Sequence, residues 1–287
     1  MNKTIVITGT ASGFGKLVVE MFAKAEWNVV ATVRKDSDLT IFDHLDNVTT
    51  LKLDVNNEGD DLNFGELAKK QYGRVDALIN NAGYFQAGPL EGTSMDQVHR
   101  QFQTNVFGLI ALNKAFIPIF REQRSGVIVN VSSISAEEGF PYTSVYEASK
   151  SAVLSLTEGM NAELGEFGVI VKVLLPGNMQ TNIFNKTEVA ETTIADYVEP
   201  WQHFNAMNTV RSNPQITADV MFRMVTDGNN KQVRYYSGPD GEAVPRVKHL
   251  LGQQWFWEEF NQRNHGNPTP LWNSLMPSPQ ADDVKRE

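Results

Sequence analysis

Short runs rich in Val, Ile and Leu recur along the chain and alternate with stretches of helical spacing. The runs are TIVITG from Thr4, NVVATV from Asn28, VTTLKLDV from Val48, DALINN from Asp76, GVIVNVS from Gly126, VIVKVLLPG from Val169 and QVRYYSG from Gln232. Most show little polar–apolar alternation, which is how strands buried on both faces of a parallel sheet read. Helical patterns between them cover about 13–25, 62–72, 95–121, 144–167 and 217–226. This β-α-β alternation predicts an α/β fold, a doubly wound seven-stranded parallel sheet with helices on both faces.

Two regions depart from the pattern. Residues 181–214 form a long excursion with scattered aromatics, Phe184, Tyr197, Trp201 and Phe204, between polar residues. Excursions of this length serve as lids or binding loops. Residues 241–287 form an extension, read as packing on the same domain as residues 1–240, and it holds Trp255, Phe256, Trp257, Phe260 and Trp272. So dense an aromatic cluster must be buried against something. The final PSPQADDVKRE reads as a frayed end.

Composition narrows the function classes. Of 287 residues, 41% are hydrophobic and 21% charged, enough for a large core. The net charge of −9 disfavours nucleic acid and anionic membrane as partners. The absence of cysteine excludes disulfides and thiolate chemistry. The five histidines are scattered without paired helical spacing, so no metal site is expected. The first residues run straight into a strand pattern with no signal peptide, and the apolar stretch 107–120 is too short to span a bilayer. The expectation is a soluble cytoplasmic protein.

The candidate chemistry lies in SSISAEEGFPYTSVYEASK. Tyr146 and Lys150 stand at i and i+4, on one helix face. An ammonium beside a phenol favours the phenolate and would pull its pKa down, suiting it to proton exchange with an alcohol or carbonyl oxygen. Ser133, at a strand end, can hydrogen-bond the same oxygen. Upstream, TGTASGFG follows the first strand and opens a helix, with Gly9, Gly13 and Gly15 in a G-x-x-x-G-x-G pattern. Such a turn brings backbone N–H groups to a pyrophosphate. The second strand ends in Val33, where an NAD-preferring site usually has an acidic residue, and Arg34 and Lys35 follow. A guanidinium there can grip a 2′-phosphate, with Ser12 adding a hydrogen bond, so NADP(H) is predicted over NAD(H). Asp54 and Val55 end the third strand and suit an adenine. Asn80–Gly83 (NNAG) ends the fourth, with Gly83 open to close ligand approach and Asn81 read as knitting strand ends.

These motifs, with Asn105 and the Pro176–Gly177 pair followed by Thr181, resemble the short-chain dehydrogenase/reductase family in its shorter form over about 3–238. The VVATVRK segment is similar to NADP-dependent members acting on retinoids, hydroxysteroids and other apolar carbonyls. The resemblance implies a single-domain Rossmann fold. It makes Tyr146 the acid in reduction and base in oxidation, and has Lys150 lower the tyrosine pKa and hold the nicotinamide ribose. Ser133 would polarise the substrate oxygen, and Asn105 would anchor a proton-relay water. It places Phe14, Ala82, Pro176, Gly177, Met179 and Thr181 at the cofactor with the residues above. It also implies a homodimer or homotetramer.

Phe85, Tyr142, Phe184 and Trp201 are the candidate substrate residues, with Phe140, Phe204 and Met207 nearby. They suggest an apolar pocket for a hydrophobic aldehyde, ketone or alcohol. Two other readings stand beside this one: a catalytically silent NADP(H) sensor or scaffold on the same fold, and a nucleotide-sugar enzyme of the longer branch.

Overall fold

All seven apolar runs become strands of one parallel sheet in the computed structural model, which describes residues 2–181, 183, 187–207, 210–276 and 284–285. The strands are β1 (Thr4–Ile7), β2 (Asn28–Val33), β3 (Val48–Lys52), β4 (Ala77–Asn80), β5 (Gly126–Val131), β6 (Val169–Pro176) and β7 (Arg234–Ser237). Their spatial order is 7-6-5-4-1-2-3, and every neighbouring pair is parallel. The order reverses between β1 and β4, which opens a crevice at the strands' carboxyl ends.

The missing alternation has a direct cause. Ile5, Ile7, Val29, Ala31, Ala77 and Ile79 face one core with Val18, Phe22, Met221 and Met224. Val6, Val30, Leu78, Ile128 and Val171 face the other with Phe64, Leu112, Phe116 and Phe120. Successive side chains point to opposite faces, and both faces are covered by helices, so most positions are apolar. The first core is roofed by α1 (Gly13–Lys24) and α7 (Pro214–Thr226); the second by α2 (Glu58–Tyr72), α4 (Gly108–Gln123) and α5 (Ser144–Leu164).

The helical pattern over 95–121 is not one helix. It divides into α3 (Met95–Phe102), a π-helical turn (Gln103–Phe107) and α4. A π-turn inserts an extra residue into the helical path and re-aims the side chains around it. It carries Asn105, which is 1% exposed.

The excursion after Thr181 carries regular structure among its described residues. A two-residue strand Glu188–Val189 pairs with Gln86–Ala87, and helix α6 runs over Ala195–Met207. The C-terminal extension forms α8 (Pro239–Leu251), α9 (Gln253–Asn264) and α10 (Pro270–Leu275). Phe256, Phe260 and Trp272 bury themselves with Ile134, Val244 and Val247, and Phe140 packs against this cluster. Among the described residues no helix is long and apolar enough to cross a membrane.

Candidate active site

The turn between β1 and α1 builds one end of a cleft of about 590 Å³. Gly9 and Gly13 take φ of 68° and 60°, left-handed values that glycine adopts freely. Ser12 precedes α1 with an extended backbone, its side chain makes no capping bond, and the first turn holds no acidic residue. The helix thus presents its N–H groups and positive dipole end at the cleft. Gly15 serves a different purpose from the one its sequence pattern implies. It does not line the cleft, and a Cβ there would come within 2.5 Å of the Gly9 carbonyl oxygen and 2.7 Å of Asn81 Nδ2. Its small size lets the helix press on the turn.

Asn81 ties β1 to β4. Its N–H donates to the Thr8 hydroxyl at 2.9 Å, and its Nδ2 donates to the carbonyls of Thr8 at 2.9 Å and Gly9 at 3.1 Å. The neighbouring Asn80 donates to Asn113 and Asn130, both at 2.9 Å, deep in the sheet. Ala82 and Gly83 follow along the cleft wall. Arg34 and Lys35 line it at the end of β2 and make no ion pair among the described residues. Asp54 and Val55 line it beyond β3, where Asp54 Oδ1 accepts from the Asn56 backbone at 3.1 Å. Thr181 sits against the glycine turn, 3.7 Å from where a Gly13 Cβ would stand.

At the other end the cleft reaches Ser133, Tyr146, Lys150, Phe85, Pro176, Gly177 and Met179. Lys150 is 5% exposed, and its Nζ donates to the Val131 carbonyl at 2.9 Å. It lies 5.7 Å from the centre of the Tyr146 ring. Ser132, missed in the sequence, donates to the Lys150 carbonyl at 2.7 Å and fixes α5 against the end of β5. The Phe85 ring meets Tyr146 edge-on, with centroids 4.7 Å apart. On the far wall, Asp240 of α8 accepts from the Asn178 N–H at 2.7 Å and holds the Gly177–Asn178 turn.

Asn105 stands behind this end rather than on it. Its Oδ1 accepts from the Tyr84 N–H at 2.9 Å, and its Nδ2 donates to the Tyr84 carbonyl and the Ser149 hydroxyl, each at 3.1 Å. Gln101 adds a second clamp, accepting from Gln86 N–H and donating to the Tyr84 carbonyl, both at 2.8 Å. The side chain of Asn105 is therefore committed to shaping the segment that carries Phe85.

Burial governs the site's electrostatics. It pushes Tyr146 up to about 12, opposed by the hydrogen bond to Ser133 and reinforced by the Glu147 charge. It pulls Lys150 down to about 8. The expected lowering of the phenol by the ammonium is not found: burial, which disfavours the charged form of each group, dominates both shifts. Tyr146 keeps part of its surface in the cleft, so the upward push weakens wherever water reaches its hydroxyl.

Of the candidate substrate residues among the described ones, Phe85 lines the cleft. Tyr142 and Trp201 instead join Tyr197 and Phe204 in an aromatic cluster beside it. Phe140 turns away altogether, packing edge-on against Phe260 at 4.9 Å. Phe184 and the Met207 side chain lie outside the described residues. The cleft also takes in Tyr84, Thr104 and Ile183, which carry no motif signal.

The donor set fits a dinucleotide. Its parts are a left-handed glycine turn at a helix N-terminus, a free guanidinium at the end of β2, a carboxylate and an apolar side chain after β3, and a buried lysine beside a tyrosine. Among the described residues no group of three or more His, Asp or Glu is placed to hold a metal.

The short chain dehydrogenase family model matches residues 3–192. The uncharacterized oxidoreductase YusZ of Bacillus subtilis is 33% identical over 260 residues, covering 85% of this chain and 91% of that protein. The 3-ketodihydrosphingosine reductase of Bacteroides thetaiotaomicron is 36% identical over 189 residues, covering 66% and 68% respectively. Among solved structures, a short-chain dehydrogenase from Streptomyces avermitilis superposes with a TM-score of 0.77 at 29% identity, covering 91% of this chain and 99% of that one. ElxO with NADP bound gives 0.69 at 26% identity (81% and 95% covered). A Burkholderia phymatum short chain dehydrogenase/reductase in complex with NAD gives 0.76 at 26% identity (93% and 96% covered).

Proposed function

The chain belongs to the short-chain dehydrogenase/reductase family, and on that premise we propose that it is an NADP(H)-dependent oxidoreductase interconverting an apolar carbonyl compound and its alcohol. The observation that carries this reading is the meeting of Ser133, Tyr146 and Lys150 with Phe85 at one end of a cleft whose other end is the glycine turn and Arg34. A silent sensor has no use for a tyrosine beside a buried lysine at that place.

A dinucleotide held by the Gly9–Gly13 turn, Arg34 and Lys150 would supply or accept the hydride. In reduction, negative charge develops on the substrate oxygen. The Ser133 hydroxyl donates to it, and Tyr146 hands over its phenolic proton. A phenol near 12 is fully protonated at neutral pH, and its proton passes downhill to an alkoxide. Lys150, near 8, is mostly an ammonium at pH 7, and in this reading it returns a proton to the tyrosine. In oxidation the same groups run in reverse, with Tyr146 as base.

Arg34 and Lys35, with Val33 in place of a carboxylate, support NADP(H). The Phe85 wall, the neighbouring aromatic cluster and a ketone-reducing relative support an apolar carbonyl substrate. We read the long helices α4 and α5 as the face through which copies of the chain assemble into a dimer or tetramer. The test of function is NADPH oxidation against panels of apolar and charged carbonyls, with Tyr146→Phe as the control. The variant should lose turnover by about 10²–10⁴-fold while still binding NADPH. Substantial turnover in Tyr146→Phe refutes the proton path, and activity confined to charged carbonyls refutes the substrate class.

A further inference from the structure

The loop joining Ser133 to Tyr146 is held by a buried carboxyl that the proposed chemistry does not use. Glu147 lies in the first turn of α5, next to Tyr146, and is 6% exposed. Its Oε1 accepts from the Phe140 N–H at 2.5 Å and from the Thr143 hydroxyl at 2.8 Å. These two bonds bracket Tyr142. That residue has φ of 66°, a left-handed conformation that a bulky aromatic side chain rarely adopts. Strain of this kind persists only where the surroundings impose it.

What Tyr142 touches shows what the strain maintains. Its carbonyl accepts from the Gly88 N–H at 2.7 Å. Gly88 in turn lies so close to Ala190 that a Cβ would come within 2.6 Å of the alanine's own. The Tyr142 ring stands edge-on to Trp201 at 5.3 Å and Phe204 at 5.5 Å, both on α6. One residue thus connects the loop to both anchors of the excursion: the short strand pair after Phe85, and helix α6. Burial also keeps the Glu147 carboxyl protonated near neutrality, so glutamine is its close mimic.

We propose that Glu147 is a positioning residue: it fixes Tyr142 in its left-handed conformation, and Tyr142 seats α6 beside the substrate end of the cleft. The pair thereby sets substrate affinity and size selection, a role that rests on the oxidoreductase reading above. The contact to α6 does not depend on that reading.

The test compares Glu147→Ala, Glu147→Gln and Tyr142→Gly with the wild type, using NADPH and straight-chain 2-ketones of increasing length, alongside amide hydrogen exchange. Glu147→Ala should raise KM for the longest accepted ketone by at least about tenfold while kcat for the shortest stays within about threefold. Tyr142→Gly removes the ring and relaxes the backbone, and should reproduce that split without unfolding. Glu147→Gln should restore near-wild-type values. Exchange across Ala195–Met207 should quicken at least about tenfold in the alanine and glycine variants but not in the glutamine variant. Unchanged exchange in α6, or a uniform fall in kcat with no change in KM, overturns the proposal. A wild type that reduces neither these ketones nor any other carbonyl of the apolar and charged panels refutes the oxidoreductase reading, and the exchange result then still decides the positioning role.

Discussion

Replacing Glu147 by glutamine should abolish a pH dependence of stability that the fold itself creates. Burial raises the Glu147 carboxyl from its ordinary 4.5 to about 8; the Thr143 hydroxyl and the Phe140 N–H oppose the rise, and the Glu138 charge adds to it. Between those two values the folded chain keeps a proton that the unfolded chain has released. Stability therefore falls as pH rises through this window, by up to about 1.4 kcal/mol per pH unit. From pH 5 to 8 the ceiling is about 4 kcal/mol, and relaxation around the buried charge reduces the expected loss to about 2–4 kcal/mol. The charge that acts on the carboxyl is Glu138 from the preceding turn, which Lys248 of α8 pairs with; the neutral phenol of Tyr146 precedes Glu147 on α5, and Lys150 follows it three residues on. Lys150 has the opposite sign: lowered from 10.5 to about 8, it adds stability as pH rises above 8, so the comparison stops at pH 8. The assay is urea unfolding of wild type and Glu147→Gln across this range, followed by far-UV circular dichroism. The wild-type advantage over the glutamine variant should shrink steadily with pH. A difference in unfolding free energy that stays constant from pH 5 to 8 would refute the reasoning.

Arg34→Asp should weaken NADPH binding by about 10–100-fold and leave NADH nearly unaffected, as the ratio of the two KM values would show. Gly15→Ala should destabilise the fold by about 1–3 kcal/mol in chemical unfolding, because its Cβ has no space against the Gly9 carbonyl. Phe256→Ala removes a ring with 0% exposure from the C-terminal cluster and should cost about 3–5 kcal/mol in the same assay. If that variant unfolds at the wild-type midpoint, the C-terminal helices are not part of the cooperative unit.

The sheet was legible because every strand carries its own signature: apolar side chains on both faces, ended by a turn. The ends of those strands were legible too, since Gly9, Gly83, Ser133 and Gly177 are local in sequence and local in space. Helix α6 was not read, although Tyr197, Trp201 and Phe204 already stand at helical spacing; Pro200 and the surrounding polar residues hide the period. The break in the helix around Asn105 leaves no trace in composition, because a π-turn is set by packing rather than by residue type. The aromatic tail was half right. Phe256, Phe260 and Trp272 are buried, whereas Trp255 and Trp257 keep 64% and 44% exposure. Glu147 was invisible for a different reason: a carboxyl in the first turn of a helix is commonplace, and only the closure of the loop onto it gives it partners.

The C-terminal helices grip both walls of the cleft. Asp240 holds the Gly177–Asn178 turn, Lys248 donates to the Glu137 carbonyl at 2.9 Å and pairs with Glu138 at 2.5 Å, and Phe260 backs Phe140. Each of these contacts joins residues far apart along the chain, and such contacts form late because loop closure must come first. A nascent chain that has emerged as far as β7 already owns every residue of the proposed chemistry, and Glu147 and Arg234 already hold the loop beyond Ser133, but the contacts from α8 and α9 are still missing. On the ribosome, then, the residues of the proposed chemistry are in hand before α8 and α9 can brace the loop that joins Ser133 to Tyr146.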